Sequence, residues 1–223
     1  MEELSLMQRL AVLILPVVLA ITVHEAAHGY VADRLGDRTA RLLGRVTLNP
    51  LRHIDPLGTV LLPLGMYALT GFLFGWAKPV PVNPRNLANP RRGMAMVALA
   101  GPLSNLVMAG LWSIALVAGA TLIPASDWVG LPLMLMGAAG ILINVILLVL
   151  NMIPLPPLDG GRVLVGVLPG GLARLVARIE PYGLFILIAL LVSGVLGRLV
   201  TPFVVGAIQL LPGANIVLSL FFN

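Results

Sequence analysis

A chain of 223 residues that is 59% hydrophobic, only 10% charged and has a mean hydropathy of +1.02 is too apolar for a soluble domain of its size. Its net charge of +5 comes from basic residues scattered between apolar runs, as membrane topology places them, which argues against nucleic acid as a partner. With no cysteine, neither a disulfide framework nor a thiolate metal site is open to it.

Apolar runs long enough to cross a bilayer fall near residues 6–32, 94–123, 131–153, 181–197 and 199–222. The first follows Glu2 and Glu3 and has Arg9 as its only early positive charge. It also contains His24-Glu25-Ala26-Ala27-His28, so it reads as a retained span and not as a cleaved leader. Four residues advance a helix by just over one turn, so His24 and His28 share a face and can hold one metal ion through neutral ring nitrogens. Glu25 lies beside that face, placed to take a proton from a water that the metal activates. The bland alternative is a helix with two hydrogen-bonded histidines, but ionisable groups at membrane depth are costly and as a rule functional.

After this run, Asp33 and Asp37 sit among Arg34, Arg38 and Arg41, which suggests local ion pairing. Residues 39–50 alternate weakly and are a candidate strand-like edge near the site. His53 reads as a solvent-facing or capping residue in preference to one approaching the site, and Asp55, before a proline, as a turn residue. The run at 57–77 contains Pro63, Gly65, Gly71 and Gly75, which disfavour a continuous helix. Asn105 and Asn144 lie inside later runs. Asn144 reads as an interhelical hydrogen-bonding residue, and Asn105 as that or a site residue in equal measure.

A catalytic zinc site has three protein ligands and an open position, so the third ligand is His53 or a carboxylate. Glu2, Glu3 and Asp127 belong to solvated ends and Glu180 to a segment entrance. Asp159 differs: it follows Asn151-Met-Ile-Pro154-Leu-Pro156-Pro157-Leu, where prolines stop a helix, and precedes Gly160-Gly161, which let the backbone pass close to a neighbour.

His24-Glu25-x-x-His28 together with Asn151-x-x-Pro154-x-x-x-x-Asp159-Gly160 resembles the paired motifs of the site-2 protease family of intramembrane zinc metalloproteases. Ala100-Gly101-Pro102-Leu103-Ser104-Asn105 is similar to that family's central helix, and Gly75-Trp76-Ala77-Lys78-Pro79-Val80 with Asn83-Pro84-Arg85 to a loop of its small prokaryotic members. The resemblance covers about residues 20–165. It implies that His24, His28 and Asp159 bind one Zn2+, that Glu25 is the catalytic base, and that Asn151 positions substrate or steadies the oxyanion. The chain resembles a small member without a peptide-binding or nucleotide-sensing domain, and its motif helix comes first.

For Asp159 to meet His28, an even number of crossings must separate them. The runs at 94–123 and 131–153 supply two, so 57–77 is expected to be re-entrant or a hairpin. In that case Arg34, Arg38, Arg41, Arg45, Arg52, Lys78, Arg85, Arg91, Arg92, Arg162, Arg174 and Arg178 share one face against Arg9 and Arg198, 12 against 2; a spanning segment gives 8 against 6. The positive-inside rule favours the first arrangement and puts the site toward the cytoplasm of a plasma-membrane protein.

The expectation is therefore an all-α polytopic membrane protein. It forms one domain over 1–223, with about five spanning helices plus the re-entrant segment, a core at about 6–165 and a C-terminal helical pair at about 181–222. Its expected function is cleavage of a transmembrane protein substrate in the lipid bilayer. The rival from another class is a non-catalytic zinc-binding scaffold for transmembrane partners, which would have no use for Glu25.

Overall fold

The structure, a computed structural model, describes residues 6–61, 65 and 77–222. Among these, three helices are long and apolar enough to cross a membrane: α1 (Leu6–Arg34), α3 (Pro90–Leu122) and α4 (Asp127–Asn151). At 1.5 Å per residue the 25 residues of α4 reach about 37 Å, beyond the roughly 30 Å of a hydrocarbon core. α3 starts where Pro90 occupies the first turn and the Asn89 side chain accepts from Arg92 N–H at 3.1 Å, satisfying a helix-end donor. It returns as α4 through the short turn at 123–126, and both pack on α1.

The β-element expected at 39–50 is not found. Those residues form a one-turn helix α2 (Thr39–Leu42) and successive turns up to a 3-10 turn at Pro50–Arg52, and no strand occurs among the described residues. Gly44, at φ 64°, lets the chain reverse after α2, and the Arg45 N–H closes that turn on Ala40 O at 2.9 Å. Most of 57–77, the predicted re-entrant run, lies outside the described residues. Its two flanks meet, with Lys78 N–H donating to the His53 carbonyl at 2.9 Å.

The predicted C-terminal pair is subdivided. After α5 (Asp159–Val167) and α6 (Gly170–Ala177) come α7 (Glu180–Val192), α8 (Val195–Gln209) and α9 (Ala214–Phe221). Gly194 at φ 73° and Gly213 at φ 82° break the two apolar runs. The 13 residues of α7 cover only about 20 Å, although with α6, bent from it by 59°, they make a candidate broken span. Hydropathy counts apolar residues and does not see these breaks. α8 and α9 fold back so that Val204, Ile208 and Val217 join Ala109, Leu116, Ala138, Ile141 and Val145 in one buried core. Ser113 Oγ on α3 donates to Pro212 O at 2.6 Å, pairing a carbonyl in the turn between α8 and α9.

Candidate metal centre

α1 carries its two histidines about 9–15 Å from its end at Arg34, on the face that meets α3 and α4. Their ring Nε2 atoms lie 3.1 Å apart, and Asp159 Oδ2, at the first position of α5, lies 3.2 Å from that of His24 and 3.3 Å from that of His28. Asp159 arrives there because the prolines after α4 turn the chain and because Gly160 and Gly161 have no side chain. A Cβ at Gly160 would collide with the Met152 carbonyl, and one at Gly161 with the Pro156 nitrogen.

The donor atoms fit a zinc ion on their own chemistry. His24 Nδ1 donates to Asn105 Oδ1 at 2.6 Å and His28 Nδ1 to the Val97 carbonyl at 2.7 Å. Both partners are acceptors, so the ring protons belong on Nδ1 and both Nε2 atoms present lone pairs. Asp159 Oδ2 is buried and receives no hydrogen bond. Three electron-rich atoms facing one point are stable only around a cation. Their separations approach the roughly 3.3 Å between ligands of a tetrahedral zinc with bonds near 2.0–2.1 Å, and three protein ligands leave the fourth position that a catalytic zinc requires. No other such group occurs among the described residues.

Gly101 on α3 makes the cradle possible. A Cβ there would lie 2.5 Å from His28 Nε2 and Cε1 and 2.6 Å from His24 Cε1, displacing both rings. Asn105, one turn further, is fully buried and joins three helices: it accepts from His24, and its Nδ2 donates to Ala20 O at 3.3 Å and Asn144 Oδ1 at 2.9 Å. Asn144 Nδ2 in turn donates to Gly140 O at 2.8 Å. Beyond the imidazole, every step of this relay runs between side-chain amides or from one to a backbone carbonyl, so the amide that orients His24 is itself fixed.

Glu25, beside His24 on α1, accepts from Val80 N–H at 2.9 Å through Oε2, in the segment after residue 77. Asn151 stands at the last turn of α4, with its Nδ2 donating to Leu147 O at 3.0 Å. His53 does not join the site. It is buried instead of solvent-facing, closes the 3-10 turn at Pro50–Arg52, and bonds Thr47 O through Nε2 at 3.0 Å. Asp33 pairs with Arg41 at 2.5 Å, as local pairing predicts, and Asp55 accepts from Leu57 and Gly58 N–H as a turn residue. Asp37 does not pair with an arginine. It accepts from Thr39 Oγ1 (2.5 Å), Thr39 N (3.1 Å), Asn83 N (2.6 Å) and Asn86 Nδ2 (2.8 Å). The sequence gives no sign of these last contacts, which join positions 46 and 49 residues apart.

No family model matches the chain, and no solved structure matches it. It is 36% identical over 189 residues to "Putative zinc metalloprotease YwhC" of Bacillus subtilis, covering 81% of this chain and 80% of that protein. Proteins named "Putative zinc metalloprotease Rip2" also match, two of them as follows. The one from Mycolicibacterium smegmatis is 33% identical over 186 residues, or 81% of this chain and 66% of that protein. The one from Mycobacterium tuberculosis is 31% identical over 178 residues, or 78% and 64%. Apolar helices of spanning length make this a membrane protein, and likeness to these relatives across four-fifths of its length means that the chain belongs to the site-2 protease family of zinc metalloproteases.

Proposed function

We propose that the protein is an intramembrane endopeptidase that hydrolyses a peptide bond within or near a transmembrane segment of a membrane-protein substrate. The observation that carries this reading is the meeting of Asp159 Oδ2 with His24 Nε2 and His28 Nε2, which stand on a helix long and apolar enough to span a bilayer. His24, His28 and Asp159 hold the metal. Zinc, when bound, supplies Lewis acidity to the scissile carbonyl and lowers the pKa of water. Glu25 takes the proton of the attacking water and returns it to the leaving nitrogen. Asn151, at the end of α4 and eight residues before Asp159, has an amide to offer the substrate backbone or the developing oxyanion. A substrate helix must unwind before attack, and the protein interior spares its freed backbone groups from lipid. All of 1–223 acts as one catalytic membrane domain, and the distribution of arginines supports a multi-pass plasma-membrane protein with the site toward the cytoplasm.

The test is cleavage of a model transmembrane substrate in detergent by the wild type, by Glu25→Gln and by a chelated sample. Glu25→Gln is expected to keep its zinc and lose cleavage by about 100-fold or more, and chelation to abolish cleavage reversibly. Undiminished cleavage by Glu25→Gln would remove Glu25 as the base, and zinc binding without cleavage of any substrate would favour a scaffold.

A further inference from the structure

Arg45 is a cation withdrawn from water with no anion to meet it. It is only 7% exposed, and among the described residues no carboxylate lies within ion-pair distance of it. Its Nη2 donates to two successive backbone carbonyls, Lys78 O at 2.6 Å and Pro79 O at 3.3 Å, while its Nε is buried without a partner. Burying a guanidinium on these terms is a poor way to stabilise a fold. What it does well is hold a strand of backbone in place, because the guanidinium is a rigid fork of donors.

The backbone it holds leads directly to Glu25. Val80 follows Pro79, and its N–H is the donor to Glu25 Oε2 at 2.9 Å. Pro79 and Pro81 have no N–H, so Val80 offers the only backbone donor between Lys78 and Val82. The near end of this segment is tied by Lys78 N–H to the carbonyl of buried His53 at 2.9 Å. Gly29, one turn beyond Glu25 on α1, leaves room for the arrangement. A Cβ there would lie 3.1 Å from Val46 Cγ2 and 3.1 Å from Val80 Cγ1, so both the Arg45 turn and the Val80 segment press on α1 beside Glu25.

A glutamate has two equivalent oxygens and a flexible stem, and as a base it works only if one oxygen is kept on the water. Resting on the reading of Glu25 as that base, we propose that Arg45 is a positioning residue for Glu25. By clamping the Lys78 and Pro79 carbonyls it sets the Val80 N–H on Oε2, and Oε1 is left to accept the proton.

Two routes to the same bond make this testable with full-length protein, using kcat and KM on a model transmembrane substrate, bound zinc and thermal melting. Arg45→Gln is expected to lower kcat about ten- to a hundredfold with KM and zinc content unchanged, and Arg45→Lys, which can still donate to a carbonyl, to recover part of the loss. Val80→Pro deletes the donor while leaving Arg45 in place, and is expected to produce the same fall in kcat. The double variant should fall no further than either single one. Full kcat in Val80→Pro, multiplicative losses in the double variant, or loss of zinc by Arg45→Lys and Arg45→Gln alike would overturn the proposal. If Arg45→Gln does not fold, Val80→Pro decides alone. Glu25→Gln measured alongside separates the two readings: if it is fully active the base assignment fails, and if it is inactive while Val80→Pro is fully active only the role of Arg45 fails.

Discussion

The orientation of His24 is set by a residue 81 positions away in the chain. Asn105 is an acceptor to the imidazole and a donor to both α1 and Asn144, so its amide acts as interhelical hydrogen-bonding residue and as support of the metal ligand at once. From sequence these two roles weigh equally, because nothing in a single apolar run shows which neighbour an amide will face. Asn105→Ala is expected to weaken zinc binding about 10- to 100-fold, as loss of a partner to a metal-ligating histidine does. Asn105→Asp, which keeps an acceptor on Nδ1, should lose less, and competition with a chelator of known affinity would measure both. Equal zinc affinity in wild type and Asn105→Ala would show that the bond to His24 does not support the site. The ligands themselves were legible, since histidines four apart share a helix face whatever surrounds them. Arg45 was not, because an arginine in a basic stretch gives no hint that its charge is buried.

Among the elements, the extended segment from residue 77 to the 3-10 turn at Pro84–Asn86 has no helical or ladder hydrogen bonds of its own to hold it. It is held by side chains of other elements: Arg45 at Lys78 and Pro79, and Asp37 at Asn83 and Asn86. Burial pushes the Asp37 carboxyl up, but the donors Thr39, Asn86 and Asn83 outweigh it and hold it below the usual carboxylate range. Its contribution to stability is therefore complete above the unfolded pKa of about 3.9 and is lost as pH falls through the lower folded value. Asp37→Ala is expected to cost about 2 kcal/mol at neutral pH, because the donors of Thr39, Asn83 and Asn86 lose a buried charged acceptor. The gap in melting temperature between variant and wild type should close as the pH falls below about 4. A gap that persists unchanged in acid would mean that the ionised carboxylate is not what the segment depends on. The sequence-based expectation of local arginine pairing holds for Asp33 and fails for Asp37 for a geometric reason. Asp33 lies in the last turn of α1 beside Arg41, whereas Asp37 lies beyond the helix, where the chain has turned toward Asn83.

At the scale of the whole molecule, the meeting of Asp159 with His24 and His28 is achieved by α3 and α4 running out and back, and the flanks of 57–77 come together at His53 and Lys78. With no native cysteine in the chain, single cysteines at exposed Arg52 and Arg85 report topology without background. Both are expected to label from one side of the membrane, the cytoplasmic one, and labelling from opposite sides would sink the proposed orientation. The three long spans, the metal-binding residue types and the family were determined by sequence alone, because apolar length, helical spacing and a paired motif are local properties of the chain. The tertiary structure decided the rest: that Asp159 and not His53 lies against His24 and His28, that the C-terminal runs break at Gly194 and Gly213, that Asn105 meets His24, and that Arg45 holds the carbonyls just before the Val80 N–H that meets Glu25. Each of these depends on which distant backbone or side chain meets a given group, and that is fixed only when the helices pack.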